Sequence, residues 1–416
     1  MSQEILREAI IRPYQSHMDE LSLNVSFDAI IVPQGRSAEH IERAARLARQ
    51  VGSTLISLCS HDAKVDEVAS FLDNMPDGPK SWYAVDVPQG YSIPGFDFAA
   101  HKEIPDLARL PEDWNISDKR NIGLAIGKMI DAERILFIDD DMTVTPEALS
   151  LAGLILYLKD ISGLECKEYS DNSTFMHVKA AIENYGLSFA KYSGRGQRSR
   201  HPKETVRTGM LSGNSLAVNP RNVDEHFPKI YNEDWMMMYK YVQNGKATVA
   251  PAQSRQDSYD PFKPERARQE EFGDIIAPGL YKDLGHAYEN GIRRTTGDIE
   301  YPEYWDRAIR ERRDESFEML EAIGAEHLED YWPHLHSLLP PELVAMPADE
   351  QALYRSTLEA GLEVSGQLDG SMLVDYLRAW RKDQERWVKM TEQLPGTKTI
   401  ETALSRLALD VYASSE

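Results

Sequence analysis

Over residues 25–150 the apolar positions fall in short blocks separated by polar, glycine- and proline-containing turns, a rhythm that predicts strands joined by helices. DAIIVP (28–33) reads as a short buried strand and QGRS (34–37) as the turn that leaves it. Ser37 is a good N-cap, and Ile41, Ala44, Ala45, Ala48 and Val51 recur on one helical face, so a helix is expected there, closed by Gly52. TLISL (54–58) and WYAVDV (82–87) predict two further strands, which makes a βαβ opening with a parallel sheet and a right-handed crossover.

A Pro- and Gly-rich loop follows over 88–116. Ser117 and Asp118 then cap the helical pattern KRNIGLAIGKMIDA (119–132), whose Ile122, Ile126 and Met129 face inward, and RILFI (134–138) is the next strand. Thr145 as N-cap with Pro146 behind it starts another helix. Residues 170–207 are less regular. GNSLAVNP (213–220) reads as a strand with a turn, and Asn232 looks like the N-cap of a helix that begins NEDW and ends near Gly245. Past 265 the pattern is helical almost throughout, punctuated by prolines. The expected fold is therefore α/β: a mostly parallel mixed sheet flanked by helices, in a catalytic domain over 1–265 with halves at about 25–150 and 151–265, followed by a helical C-terminal region over 266–416.

Composition narrows the setting. The 416 residues are 42% hydrophobic and 27% charged, as in an ordinary soluble globular protein, with no stretch long and apolar enough to span a membrane. Cys59 and Cys166 are too few for a disulfide framework, and the N-terminus lacks the apolar core of a secretory signal, so a cytoplasmic location is expected. A net charge of −22 repels nucleic acid and anionic lipid. Any anionic ligand must then be held by a local device such as a metal, helix N-termini or clustered arginines.

FIDDDM (137–142) supplies a candidate. Three acids end an apolar run. If the extended chain continues through them, Asp139 and Asp141 share a face with Cα atoms roughly 6.6 to 6.8 Å apart, while Asp140 points away. Two carboxylates that close raise each other's pKa or recruit a cation. Mg²⁺ or Mn²⁺, which take oxygen ligands from one or two carboxylates and from phosphates, fit best at the carboxyl end of such a strand.

With AIIVP and its helix, KRNIGLAIG, FIDDDM, and GNSLAVNP followed by NEDW in this order over about residues 25–250, the chain resembles nucleotide-sugar-dependent glycosyltransferases of the A-type, Rossmann-like fold, most like the large family 2. The resemblance implies a UDP- or GDP-sugar donor whose diphosphate is bound through a metal on Asp139 and Asp141, with Asp140 toward the ribose or sugar and Arg120 and Asn121 near the nucleotide or donor sugar. It also implies that Glu233 or Asp234, with Asp234 preferred, deprotonates an acceptor hydroxyl in an inverting transfer. His286 is the expected third metal ligand by position, with His226 and Asp257 behind it. The opening turn, Pro33, Gln34, Gly35 and Arg36, departs from the family's usual form, and Asp62 or Asp86 stands for its acid after the second strand, so base recognition stays open.

The basic run 191–207, with Arg195, Arg198, Arg200 and Arg207, suits a clamp on an anionic acceptor. Other readings remain at this point: a retaining transferase with an anionic small-molecule acceptor, a nucleotidyltransferase, or a catalytically dead scaffold. Trp305, Tyr331, Trp332, Trp380 and Trp387 offer a homo-oligomer interface through the C-terminal region, although core packing is the expectation for them and for Met236, Met237 and Met238.

Overall fold

Alternate residues of the first strand enter different cores: Ala29 and Ile31 pack on one side of the sheet, Ile30 and Val32 on the other. A strand buried on both faces must lie inside a sheet covered by helices on each side. The computed structural model describes residues 25–167, 211–257, 262–289, 295–322 and 348–414, and it has this three-layered build.

The described strands are β1 (Ala29–Gln34), β2 (Thr54–Cys59), β3 (Trp82–Asp86), β4 (Ile135–Ile138), β5 (Met142–Thr143), β6 (Ile161–Lys167), β7 (Ser215–Val218), β8 (Ala247–Gln256) and β9 (Val411–Ala413). They form one sheet in the order β5-β8-β6-β7-β4-β1-β2-β3-β9. β3, β2, β1 and β4 run parallel, as do β6 and β8. The remaining pairings, β4 with β7, β6 with β7, β5 with β8 and β3 with β9, are antiparallel, so the sheet is mixed.

The chain moves from β1 outward to β2 and β3 and then returns to place β4 on the other side of β1. The carboxyl ends of β1 and β4 are thus a topological switch point, where an open α/β sheet leaves a crevice.

Helices α1 (Glu42–Val51), α2 (Val65–Asn74) and α4 (Pro146–Ile155) cover one face. On α1, Ala44, Ala45, Leu47 and Ala48 are buried, which is why that spacing forms a helix here. Thr145 caps α4 by accepting from Ala148 N at 3.2 Å with Pro146 at the first helical position, as its sequence predicts, a contribution of about 1 kcal/mol.

The other face carries α3 (Ile116–Met129), α5 (Glu233–Gln243), α6 (Pro264–Glu289), α7 (Pro302–Ala322), α9 (Gly370–Gln393) and α10 (Ile400–Arg406), with α8 (Ala348–Ser365) against α6. The helices beyond residue 265 share one core with α3 and α5, so the expected boundary at 265/266 is not a break in packing. Trp305 and Trp387 are fully buried and Trp380 nearly so, and Met236, Met237 and Met238 lie at 0% exposure, so these side chains fill core. Tyr331 and Trp332 lie outside the described residues.

The C-terminal region is not wholly helical. Its last described residues return to the sheet as β9, pairing Val411 with Val85 and Ala413 with Tyr83, and Tyr83 Oη bonds the Glu401 carboxylate of α10. No helix among the described residues is long and apolar enough to cross a membrane.

Candidate functional site at the switch point

β4 ends at Ile138, and the acids form a turn in which Met142 N donates to Asp139 O at 3.1 Å. The alternation expected of an extended chain therefore stops before Asp139, and each acid takes its own direction. Asp139 turns to Arg120. Asp140 Oδ2 accepts from the backbone N–H groups of Gly35 and Arg36 at 2.9 and 3.0 Å, with Arg36 Nε 3.7 Å from its other oxygen. Expected toward the ribose or sugar, Asp140 ties the β4 turn to the β1 turn. Asp141 Oδ2 accepts from Arg36 Nη2 and Gln256 Nε2, each at 3.0 Å, whereas its buried Oδ1 has no hydrogen-bond partner among the described residues.

Two cations near the start of α3, Lys119 and Arg120, are buried at the carboxyl ends of β1 and β4. Cations oppose the dipole at a helix N-terminus, so both need carboxylate or carbonyl partners. Lys119, 2% exposed, donates to Gln34 O at 2.6 Å, and burial lowers its ammonium to about 8 against the pull of Cys59, Asp140 and Asp139. Arg120, 4% exposed, grips Asp139 with Nη2 at 2.8 and 3.1 Å and reaches Glu233 Oε1 with Nη1, over the face of Phe227. Asn121 spends both ends of its amide on the Phe227 backbone at 2.8 Å, so it braces the segment after β7.

β7 enters antiparallel to β4 and delivers the third wall. Asp139 N donates to Asn214 O at 2.9 Å, which sets Gly213 beside the start of α5. Asp234 accepts from Gly213 N on one oxygen and from Trp235 N on the other at 2.9 Å. Glu233 gives one oxygen to Arg120. Burial raises the pKa of both acids, opposed by Arg120, and lifts Asp139 to about 6 in the same way. Asn232 occupies the N-cap position in a left-handed conformation without a side-chain cap bond, unlike the ordinary N-cap expected of it.

The cluster sets the carboxylates of Asp139, Asp140, Asp141, Glu233 and Asp234 against Arg36, Lys119 and Arg120. Acids outnumber bases at a water-poor crevice, an arrangement that favours protonation or a bound cation. Among the described residues no three His, Cys, Asp or Glu side chains converge as a closed metal site. A hard cation needs fewer when phosphates complete its shell, and the orphaned Asp141 Oδ1 beside Asp139 fits that mode.

The remaining expected residues divide. Pro33 is buried in β1 opposite Leu58, and Gln34 is buried with its amide donating to Arg36 O and Ser37 O and accepting from Ser57 Oγ, so both shape the turn. Arg36, with its side chain 40% exposed, reaches the rim over Asp141. Asp62 is exposed at the rim, its N–H bonded to Gly35 O at 3.0 Å. His286 sits half-buried near the end of α6 and is part of no metal-ligating cluster among the described residues. His226 is fully buried among Phe96, Phe98 and Trp387 and is part of no metal-ligating cluster among the described residues. Asp257 comes closer, donating its N–H to Asp141 O at 2.9 Å while its carboxylate pairs with Arg43 at 2.8 Å. The basic run 191–207 lies outside the described residues.

Sequence reasoning missed Lys119, Gly213 and Gln256 as parts of the site. Lys119 carried a signal, since two successive cations in a first helical turn ask for partners. Gln256 carried none, because β8 was not legible as a strand. No protein-family model matches the chain, and no curated protein sequence matches it.

Proposed function

We propose that the protein transfers a sugar from a nucleoside diphosphate sugar, UDP- or GDP-linked, to an acceptor hydroxyl with inversion. The observation that carries this reading is Arg120: one buried guanidinium joins Asp139 at the carboxyl end of β4 to Glu233 at the start of α5, directly beside the β1–β4 crevice.

Arg120 and Arg36 face the leaving diphosphate and stabilise the charge that develops on it. Asp139 and Asp141 would hold Mg²⁺ or Mn²⁺ together with the donor phosphates, and that ion would supply further neutralisation of the leaving group. Glu233 is the better base of the acidic pair, a change from the preference for Asp234. Both Asp234 oxygens hold backbone N–H groups, whereas Glu233 meets Arg120 through one oxygen. A carboxyl raised by burial accepts a hydroxyl proton near neutral pH more readily than an ordinary one.

Calorimetric titration of UDP and of GDP, each with Mn²⁺ and with chelator, tests the donor site, with Asp139→Asn/Asp141→Asn as control. Binding that needs both the metal and the two aspartates supports the reading and names the nucleotide. Equal binding under chelation, or none, removes it. Release of nucleoside diphosphate, not pyrophosphate, separates sugar transfer from nucleotidyl transfer.

A further inference from the structure

Asn232 is the bend between the segment after β7 and α5. Its backbone is left-handed (φ 61°, ψ 31°), a conformation unfavourable for residues other than glycine and tolerated best by asparagine and aspartate. Its side chain does not cap the helix it precedes. Instead Nδ2 donates to Asp274 Oδ1 on α6 at 2.9 Å.

The other Asp274 oxygen accepts from Arg312 Nη2 of α7 at 3.1 Å, and Arg312 also holds Glu271, with its Nη2 3.0 Å from Oε2 and its Nε 3.3 Å from both oxygens. Asp274, Glu271 and Arg312 are 4%, 3% and 6% exposed. The backbone ahead of the bend is held as well: a Cβ on Gly273 would stand 2.0 Å from Tyr231 O, so only glycine lets α6 come this close.

A buried ion cluster contributes little net stability, because desolvation offsets its attraction. What it supplies here is direction. The residues immediately after the bend are Glu233, which meets Arg120, and Asp234, which meets Gly213 N.

We propose that Arg312, Asp274 and Asn232 form a positioning relay that fixes the left-handed bend from the C-terminal helices and so aims Glu233 and Asp234 at the switch-point crevice. The catalytic part of this inference rests on the transferase reading, whereas the mechanical part does not.

Two measurements keep the parts separate. The first is amide hydrogen exchange at Trp235 and Met236, whose N–H groups bond to Asp234 Oδ1 and Asn232 O. The second is steady-state sugar transfer, resolved into kcat and donor KM. Asn232→Gly keeps the left-handed backbone without the side-chain bond. Asp274→Ala removes the link to Arg312. Asn232→Asp sets two carboxylates face to face, and Asn232→Asp/Asp274→Asn restores the bond with donor and acceptor exchanged.

The relay requires faster exchange at both amides in Asp274→Ala and Asn232→Gly. It also requires a fall in kcat of about 10- to 100-fold in Asp274→Ala, with donor KM within about twofold of wild type, and recovery of most of the kcat lost in Asn232→Asp by the double variant. Unchanged exchange and kcat in both Asp274→Ala and Asn232→Gly overturn it. So does a parallel loss of kcat, donor affinity and melting temperature with no rescue, since that marks plain destabilisation. If the wild-type protein neither binds nor turns over a nucleoside diphosphate sugar, the donor reading fails by itself. The exchange rates then decide the relay, faster in its favour and unchanged against it.

Discussion

The main chain at Gly213 passes so close to Arg120 that a Cβ there would stand 2.8 Å from Nη1, and 2.7 Å from Asp234 Cβ. The residue that feeds β7 thus doubles as a wall of the crevice. In Gly213→Ala the added methyl must push the guanidinium or α5 aside, at a cost of roughly 1–3 kcal/mol. Nucleotide affinity is expected to drop at least tenfold, more than melting alone accounts for. Wild-type values in both calorimetry and thermal unfolding would show that the wall yields freely.

Asp140 separates a structural acid from a ligand-binding one. Asp140→Ala leaves the N–H groups of Gly35 and Arg36 without their acceptor and is expected to destabilise the fold by about 1–3 kcal/mol. Asp140→Asn keeps an acceptor oxygen and should retain most of that stability. Loss of nucleotide binding at unchanged stability in both variants would instead return Asp140 to the donor.

Arg120→Met leaves Asp139 and Glu233 buried without their cation, and a loss of about 3–5 kcal/mol is expected at pH 8. The pH dependence has a definite sign. Burial already raises both carboxyls, and Arg120 restrains that rise, so the variant binds protons more tightly in its folded state than in its unfolded one. Stability falls as pH climbs through that window, so the deficit should be smaller at pH 5 than at pH 8. Denaturant titration at the two values checks it, and a deficit independent of pH would contradict it.

His226 gives the opposite slope. Burial lowers its imidazole from 6.5 to about 4, so between those values the unfolded chain takes up a proton that the folded ring refuses. Stability should fall by roughly 2–3 kcal/mol as pH drops across that range. His226→Phe removes this portion of the slope, measurable by chemical unfolding at pH 6.5 and 4.5; an unaltered slope would mean that the ring titrates normally.

Local rules read β1, β2, β3, β4 and the α4 cap almost to the residue, because short apolar blocks and good caps act within a few positions, and placed α3 three residues too late. They failed where partners lie far away in the chain. β6 and β8 hide because Gly163, Pro251 and polar residues interrupt their patterns; what makes them strands is their pairing with each other, of β6 with β7 and of β8 with β5. Ser117 was read as a cap, yet Asn115 begins α3 and Ser117 Oγ reaches Pro228 O at 2.8 Å. The acids were found, but their directions were not: a turn after Ile138 replaces the alternation of a strand, and only the tertiary fold brings Arg120, Gly35 and Gln256 to meet them.

β9 sets a timetable for synthesis. The open flank of β3 is made early and its complement, residues 411–413, very late, so a nascent chain carries an unpaired parallel edge on the ribosome while nearly everything between is translated. The other pairings of the sheet can form before β9 is made. The last seam closes when the segment after α10 emerges, and an extension placed immediately after Ala413 would sit on that seam, where it competes with closure before it can affect catalysis.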